Sequence, residues 1–412
     1  MKKLDSYKFY IGSTFYFRFC WALMTTVSMV FMVTVAGLDP LQMVLVGTVL
    51  ELSGFLLEIP TGVIADVYSR RLSMIIGYIL VGLGFMLLGL FPTFEIILIS
   101  QVIWGGGFTF ISGASQAWIS DEIGEEKANR SFIVASQYGK VGLLLGIIVC
   151  IPLASLDMRL PIIVGSGGLA ALGIFAIFFM DEKNYRPALA ANRETWPQMI
   201  STFKKGLFLV KLHPVIWIIT VIAVFEGMFS EGFDRLYAPF LIESFEFPVV
   251  MGFDPIIWWG VMSAGSAIFA FVALDIVRRF VDTSNYRQLV ITLTVSSVLL
   301  VGFMFSFALS QSFLLALFCY FFIATLRSVK SPMTSVWLNQ NLESSTRATV
   351  FSMQAQADAF GQIGGGPIIG VVAKIFSIKI ALLLSTLVLI PAIGMYRRAL
   401  RVDKSLNDQK PD

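Results

Sequence analysis

The sequence predicts an all-α membrane protein whose helices cross the bilayer about twelve times, in two groups of about six. Its 412 residues are 57% hydrophobic and only 14% charged, whereas a soluble domain is about 45–50% apolar and about 25% charged. Apolar runs of about 20 residues or more, enough to span the hydrocarbon core, recur along the chain. A polar, basic gap from Asp181 to Leu212 separates two sets of these runs.

The spans are expected to follow one another through short turns. In the first group they lie at 9–35, 41–64, 72–90, 95–119, 131–153 and 160–180. In the second group they lie at 214–240, 255–276, 286–309, 313–336, 348–375 and 378–396. The first run contains Arg18 and is too long for the core of a signal peptide, so it is expected to remain as a span. The predicted domains are an N-terminal six-helix bundle (1–180), a cytoplasmic linker (181–213), a C-terminal six-helix bundle (214–400) and a cytoplasmic tail (401–412).

The distribution of basic residues predicts that both termini are cytoplasmic. Basic loop residues concentrate on the side of the membrane that carries the termini, as in proteins that follow the positive-inside rule. They are Arg70, Arg71, Lys127, Arg130, Arg278, Arg279, Arg347, Arg397 and Arg398. Near the opposite ends lie only Arg159, Lys374 and Lys379.

The gap between the two groups allows two interpretations. Thr195-Trp-Pro-Gln198 reads as a capping box that opens a short helix. Met199, Ile200, Phe203 and Leu207 would form its apolar face, and such a helix would lie on the inner membrane surface. The alternative is a disordered basic tether, and the sequence favours neither.

Several classes of protein are excluded by what the sequence lacks. His213 is the only histidine, so a histidine-rich metal or catalytic site is not expected. No phosphate-binding P-loop motif is present, and the basic residues form no patch for nucleic acid. The three cysteines, Cys20, Cys150 and Cys319, lie in apolar runs and are expected to pack rather than pair. We therefore expect no enzyme activity, no cofactor and no bound metal.

The turn between the second and third runs carries the most informative motif. It reads Gly62-Val-Ile-Ala-Asp66-Val-Tyr-Ser-Arg70-Arg71. This closely resembles the signature loop of the major facilitator superfamily, Gly-x-x-x-Asp-x-x-Gly-Arg-Arg/Lys, with Ser69 in place of the second glycine. The alternative is a generic membrane turn held by positive charge. The resemblance implies that Asp66 faces the start of the eleventh helix, and that Arg70 or Arg71 reaches Asp121. It also implies a gating role, in which these contacts lock the inner side shut in the outward-open state.

Weak internal repetition agrees with this resemblance, because superfamily members contain two parallel six-helix repeats. Trp118 to Asp121 is followed by Arg130 and Gln137, and Trp337 to Asn339 by Arg347 and Gln354. The turn at 275–279, Asp-Ile-Val-Arg-Arg, is a degenerate copy of the signature loop in the second half of the chain.

The resemblance implies a particular architecture and mechanism. Two six-helix bundles would surround a central cavity lined mainly by the first, fourth, seventh and tenth helices, and transport would follow from rocking of the bundles. Residues Glu58 to Gly62 and Ser115 to Glu122 further resemble bacterial drug exporters of the tetracycline and macrolide type. This similarity implies a monomer in a bacterial cell membrane, a small amphipathic organic substrate, and protons as the coupling ion.

Two departures from the family pattern stand out. Many proton-coupled members have an arginine in the fourth helix where this chain has Gln101. Antiporters carry a Gly-Pro element in the fifth helix, but here a similar element, with Gly366, Pro367 and Gly370, falls in the eleventh. Small residues and a proline permit close packing and bending. The element is therefore either a packing motif or part of an antiport device.

Charged residues inside the spans are the candidate substrate and proton sites, because an ion in hydrocarbon is costly. A rise of about 1.5 Å per residue places Glu226 and Arg327 at similar depths, so we expect them to approach in at least one state. Glu226 is the first candidate for proton coupling. Asp358 is the second, because Gln354 and Gln362 flank it at helical spacing. The further candidates are Arg18, Glu51, Glu58, Lys140, Lys330 and Tyr237. Structural ion pairs are the alternative.

Aromatic residues support an amphipathic substrate less directly. Those that would line an apolar cavity are Phe15, Trp21, Trp104, Tyr237 and Tyr320, although packing is the favoured interpretation for any one of them alone. The preferred function is secondary transport, with proton-coupled efflux of amphipathic drugs or metabolites. The alternatives are an exporter or importer of another small solute or lipid, and a membrane sensor or scaffold that does not transport.

Overall fold

In the computed structural model, residues 3–185, 211, 213–249, 255–340, 342 and 347–407 are described, and they contain helices and no strands. The helices that cover the first group of predicted spans are α1 (Ser6–Thr34), α2 (Pro40–Val67), α3 (Arg70–Leu90), α4 (Phe94–Ile123), α5 (Glu125–Leu156) and α6 (Arg159–Phe179). Those of the second group are α7 (Pro214–Ser244), α8 (Ile257–Phe280), α9 (Tyr286–Ala308), α10 (Phe313–Gln340), α11 (Arg347–Ile375), α12 (Ile378–Val388) and α13 (Ile390–Asn407). The all-helical, twelve-span prediction is confirmed.

The spans are apolar enough to cross a bilayer, with one exception. Among the described residues, eleven helical segments meet the requirements of length and hydropathy, and α12 and α13 together form one of them. The exception is α11. Its stretch 354–362 carries Gln354, Gln356, Asp358 and Gln362, and a helix this polar must turn these side chains away from lipid.

Local capping explains where several helices begin. Asp5, Ser69, Asn285 and Ser377 each accept a hydrogen bond from a backbone N–H in the first turn of α1, α3, α9 and α12. Gly124 has φ +82°, a conformation that favours glycine, and it separates α4 from α5.

The twelfth span differs from the continuous helix that was predicted. It is divided at Leu389 into α12 and α13. Pro391 lies in the first turn of α13 and has no N–H to donate to the carbonyl four residues before it in α12, so the regular helical hydrogen bonding is interrupted there. The predicted linker helix at 195–207 lies outside the described residues.

Contacts between Cα atoms divide the chain into two compact units. Unit 1 contains Met1–Leu38, Val49–Trp196 and Val249–Val261. Unit 2 contains Asp39–Thr48, Pro197–Pro248 and Met262–Asp412. The start of α2 therefore groups with unit 2, and the rest of α2 with unit 1.

Glycines allow one pair of helices in each unit to pack very closely. In unit 1, a Cβ on Gly142 of α5 would collide with the backbone oxygen of Phe15 in α1. In unit 2, a Cβ on Gly227 of α7 would collide with the backbone oxygen of Asp358 in α11. The first and fifth helices of each group of spans thus meet through small residues, as is common between membrane helices. The glycine belongs to the fifth helix in unit 1 and to the first helix of the group in unit 2.

We expect Gly142→Leu to destabilise the protein. The nearest obstacle is backbone, which cannot rotate aside, so the substitution should cost about 1–3 kcal/mol in the free energy of unfolding. Gly113→Leu is the matched control, because a Cβ at Gly113 has no neighbour within 4 Å. Thermal unfolding of the purified variants in detergent would measure the difference. Equal unfolding midpoints for both variants would contradict the packing described.

The three cysteines are buried and unpaired. Cys150 Sγ lies 3.5 Å from the backbone oxygen of Leu23, where α5 packs on α1. Their positions agree with the packing role predicted for them.

Candidate functional site

The signature loop is held by ion pairs within unit 1. Arg70, the first residue of α3, forms an ion pair with Asp121 near the end of α4. The same side chain donates to the backbone oxygen of Ala117 at 2.7 Å. A carboxylate oxygen of Asp66 lies 3.9 Å from Arg70 Nη2. Of the two arginines expected to reach Asp121, Arg70 makes the contact.

Ser69, which replaces the second glycine of the signature, has a specific role here. Its backbone is extended, with φ −176°, so no glycine is required. Its hydroxyl accepts from Leu72 N–H at 2.8 Å and donates to Glu182 at 2.5 Å. Glu182 also accepts from the backbone N–H of Arg71 at 2.9 Å. Serine therefore caps α3 and joins it to the residues that follow α6.

The beginning of the predicted linker is anchored to unit 1. Trp118 Nε1 donates to the backbone oxygen of Asp181 at 2.8 Å. Glu122 accepts from the backbone N–H groups of Lys183 and Asn184 at 2.8 and 2.9 Å. The hydrogen bond from Lys183 lowers the pKa of the Asp181 carboxyl. Residues 181–184 are therefore fixed against the ends of α3 and α4.

The candidate charges of unit 1 lie on three helices. Arg18 is on α1, Glu51 and Glu58 are on α2, and Lys140 is on α5. Glu51 is half-buried, and the other three are exposed. The stem of Arg18 passes Gly139 of α5, where a Cβ would lie 3.3 Å from Arg18 Cγ. Their part in substrate or proton handling stays a prediction.

Two of the aromatic candidates pack together in unit 1. The ring centroids of Trp21 and Trp104 are 5.7 Å apart, and Phe85 packs on both. Gln101, at the position of the family arginine, is buried and accepts a hydrogen bond from Trp104 Nε1 at 2.9 Å. This residue therefore orients an aromatic side chain and presents no charge.

Unit 2 contains a cluster of charged residues on α7, α10 and α11. Its first pair joins Asp234 to Arg327. The two guanidinium nitrogens donate to the two carboxylate oxygens at 2.5 and 2.7 Å. The guanidinium carbon also lies 5.7 Å from the Phe229 ring centroid and 5.9 Å from that of Phe233. Arg327 is thus held at its edge by a carboxylate and at its face by two rings.

The second pair joins Glu226 of α7 to Lys330 of α10. Lys330 Nζ lies 2.6 Å from the Glu226 carboxylate and 5.7 Å from the Tyr396 ring centroid. Tyr396 donates its hydroxyl hydrogen to Glu226 at 3.3 Å. The side chain of Lys330 is only 5% exposed, so Glu226 and the tyrosine ring are its main source of stabilisation.

These pairs differ from the expected contact between Glu226 and Arg327, which is not made in this structure. Each residue instead pairs with a different partner, Lys330 for Glu226 and Asp234 for Arg327. Asp234 was missed by the sequence analysis. The spacing of Glu226, Ser230 and Asp234, four residues apart, would have revealed it, since the same spacing identified the stripe around Asp358.

Asp358 has a different environment from the other carboxylates. Gln362 donates to it at 2.8 Å, and within the described residues no lysine or arginine forms an ion pair with it. Its backbone lies against Gly227, so α11 is pressed onto α7 at this level. Asp358 is thus the carboxylate of the cluster that lacks a paired cation.

A further ion pair, also missed from the sequence, lies beside the Gly-Pro element of α11. Glu231 Oε1 accepts from Arg235 Nε at 3.1 Å, and the Glu231 side chain is 2% exposed. A Cβ on Gly366 would lie 2.9 Å from Glu231 Cγ. The helix continues through Pro367, and a Cβ on Gly370 would lie 3.0 Å from Leu41 of α2. Close packing is therefore one role of this element.

Aromatic rings extend the cluster along α7 and α10. The centroids of Tyr237 and Tyr320 are 5.3 Å apart, and Phe233 lies 5.8 Å from Tyr237. The candidate Tyr237 thus packs one turn beyond Asp234, next to the ring that covers Arg327. The site as a whole combines a guanidinium, carboxylates and an aromatic surface.

Comparisons with known proteins agree with the fold. A family model described as Major Facilitator Superfamily matches residues 9–354. An uncharacterized MFS-type transporter of Bacillus subtilis (strain 168), YxaM, is 23% identical over 360 residues, which cover 86% of each chain.

Solved structures show the same architecture at low sequence identity. A bacterial homologue of the human lysosomal transporter Spinster, inward-facing and unoccupied, has a TM-score of 0.74 and 14% identity, and the match covers 96% of this chain and 97% of that chain. A transporter of the POT family in complex with a thioalcohol-conjugated peptide has a TM-score of 0.71 and 14% identity, with 97% and 96% covered. These similarities show the fold alone.

Proposed function

Because the chain belongs to the major facilitator superfamily, we propose that it is a secondary active transporter that exports amphipathic drugs or metabolites in exchange for protons. Substrate and protons would use the charged cluster of unit 2, and alternating access would expose it to each side of the membrane in turn. The similarity to tetracycline and macrolide exporters in residues 58–62 and 115–122 supports efflux.

The observation that carries this proposal is the cluster itself. Ionised groups inside membrane spans are costly and mark substrate and ion pathways. The side chains of Arg327 and Asp234 are 32% and 43% exposed. Lipid cannot solvate them, so their open side must meet water. Aromatic rings beside these charges suit a substrate with both apolar and polar parts.

Asp358 is the carboxylate that we assign to the proton. A carboxylate in the membrane interior is expensive to keep ionised without a partner. Glu226 and Asp234 have Lys330 and Arg327 as partners, whereas the partner observed for Asp358 is the neutral amide of Gln362. The order of the two sequence candidates for coupling is therefore reversed, with Asp358 ahead of Glu226.

The test is transport into proteoliposomes that contain the full-length protein. Ethidium, tetraphenylphosphonium, tetracycline and erythromycin would be supplied with and without a pH gradient, and pyranine in the lumen would report proton movement. We expect gradient-dependent accumulation of at least one compound, coupled to proton flux in the opposite direction. Accumulation in the same direction as protons would indicate an importer. Transport at the same rate with and without the pH gradient would contradict proton coupling.

We expect both termini to be cytoplasmic. In a variant without Cys20, Cys150 and Cys319, a single cysteine at Gln311, between α9 and α10, should react with an impermeant maleimide in intact cells. A cysteine at Ala190, outside the described residues, should react only after the membrane is permeabilised. The reverse pattern would overturn the topology.

We expect Asp66→Asn to lower the transport rate about tenfold or more, equivalent to about 1.4 kcal/mol in the barrier, with little loss of stability. Asp66 is 54% exposed and lies 3.9 Å from Arg70, so it contributes little to folding. Asp282→Asn, in the turn after α8, is the matched control. Initial rates of the best-transported compound and thermal unfolding would be compared. A parental rate in Asp66→Asn would remove the gating role that the signature implies.

A further inference from the structure

The two basic residues of the unit 2 cluster differ in how accessible they are. Lys330 is 5% exposed and enclosed by Glu226 and Tyr396. The Arg327 side chain is 32% exposed and its partner Asp234 is 43% exposed. An anionic group that arrives from water can therefore reach Arg327, whereas Lys330 is already enclosed.

The geometry at Arg327 is that of carboxylate recognition. Two parallel N–H···O bonds to one carboxylate form the fork that guanidinium offers to carboxylates and phosphates. Phe229 and Phe233 cover the face of the guanidinium and leave its edge to Asp234. The rings would hold Arg327 in the same orientation if Asp234 moved away. Asp234 thus occupies a ready-made anion site.

The charges of the cluster restrict which anion can enter. Glu226, Asp234 and Asp358 are three acids, and Arg327 and Lys330 are two bases. A ligand carboxylate on Arg327 would displace Asp234 and leave it without a cation. A ligand with one negative charge would therefore add an unmatched charge inside the membrane. A ligand that also carries an ammonium group would restore the balance by pairing with Asp234.

We propose that Arg327 and Asp234 form the recognition site for a zwitterionic substrate with an aromatic or apolar body. The ligand carboxylate takes the place of Asp234 on Arg327, and the ligand ammonium pairs with the released Asp234. The half-buried Tyr237 and Tyr320 offer the apolar surface beside the pair, and the buried ring of Phe233 packs against both of them. This inference rests on the proposed transport function and narrows its substrate class.

The first test compares charge patterns on fixed scaffolds. Binding of 4-(aminomethyl)benzoate, its methyl ester and 4-methylbenzoate to the full-length protein in nanodiscs would be measured by titration calorimetry. The same three patterns on a biphenyl scaffold would test a longer body. We expect the zwitterion to bind about tenfold more tightly than either singly charged analogue on at least one scaffold. Equal binding of ester and zwitterion, or no binding of the zwitterions, would overturn the proposal.

The second test uses variants of the pair. Arg327→Lys keeps the charge but loses the fork, so it should reduce the preference for zwitterion over ester by about tenfold. Asp234→Asn removes the internal competitor, so 4-methylbenzoate should bind more tightly than to the parent and the zwitterion less tightly. Asp282→Asn should change neither. If the Arg327→Lys variant folds and still prefers the zwitterion over the ester as the parent does, the proposal is overturned. If the variants do not fold, the first test still decides, because it uses the parent protein.

Failure of this inference is distinguishable from failure of the proposed function. If ethidium or tetraphenylphosphonium accumulates with the pH gradient while neither zwitterion binds, proton-coupled export stands and the zwitterion site is rejected. If the zwitterions bind with the expected pattern but no compound is transported, the site is supported and the proposed transport is rejected.

Discussion

Asp358→Asn is expected to abolish accumulation driven by a proton gradient while sparing exchange of substrate across the membrane. Asparagine keeps the size of the side chain and can still contact Gln362, but it cannot take up or release a proton. Asp358 lies on the polar half of α11, and Gln362 is its observed hydrogen-bond partner. Binding and conformational change should therefore continue without coupling.

The measurement is accumulation of the best-transported compound of the panel under an imposed pH gradient, beside counterflow without a gradient. Asp358→Glu, which retains a titratable carboxyl, is the matched control and should keep part of the accumulation. If Asp358→Asn concentrates substrate as the parent does, with an unchanged pH dependence, the proton is carried elsewhere.

Glu226→Gln is expected to destabilise the protein, because it leaves Lys330 charged in a site where its side chain is only 5% exposed. Removing one partner of a buried pair costs about 3–5 kcal/mol, and the partial exposure of Glu226 places the expected loss near the lower end. The double variant Glu226→Gln/Lys330→Met removes the stranded charge and should recover most of the stability.

Thermal unfolding of the parent, the two single variants and the double variant forms a double-mutant cycle for this pair. Transport by the double variant then distinguishes two roles for Glu226. Accumulation restored together with stability would make Glu226 a structural residue. If the double variant regains stability but does not accumulate substrate, Glu226 again becomes the first candidate for carrying the proton. A Glu226→Gln variant as stable as the parent would contradict the buried pair.

The spans were predictable because the membrane leaves few alternatives. In hydrocarbon the backbone must satisfy its own hydrogen bonds, so each long apolar run becomes a helix. The break at Leu389 was not predicted, because Pro391 is apolar and does not interrupt the hydropathy of the run. The span at 348–375 was predicted although its first half, with Gln354, Gln356 and Asp358, is polar.

The charged candidates were predictable as a group, but their partners were not. Depth along a helix is one coordinate of three, and it says nothing about the direction of a side chain around the axis. Lys330 and Arg327 differ by one turn of α10, yet they pair with residues two turns apart on α7. The long side chains of Lys330 and Arg327 span this difference in height along the helices. Counting residues along a helix gives the depth of the backbone and does not show how far a side chain extends.

The glycine contacts show a similar limit. Gly139, Gly142 and Gly146 stand at helical spacing on the fifth span, and small residues at this spacing permit close approach of another helix. The identity of the partner, α1, required the fold. The equivalent contact of α7 with α11 depends on Gly227 and Gly361, which no motif had singled out.

The Ser69 cap has a consequence for how the signature loop can act. Glu182 ties both Ser69 and the backbone of Arg71 to the end of α6, and Arg71 Nη2 adds a hydrogen bond to the backbone oxygen of Ile177 at 2.5 Å. The turn between α2 and α3 therefore cannot move independently of α3 and α6. Asp66 is fixed relative to these helix ends, so any contact that it makes or breaks during transport must come from movement of whole helices.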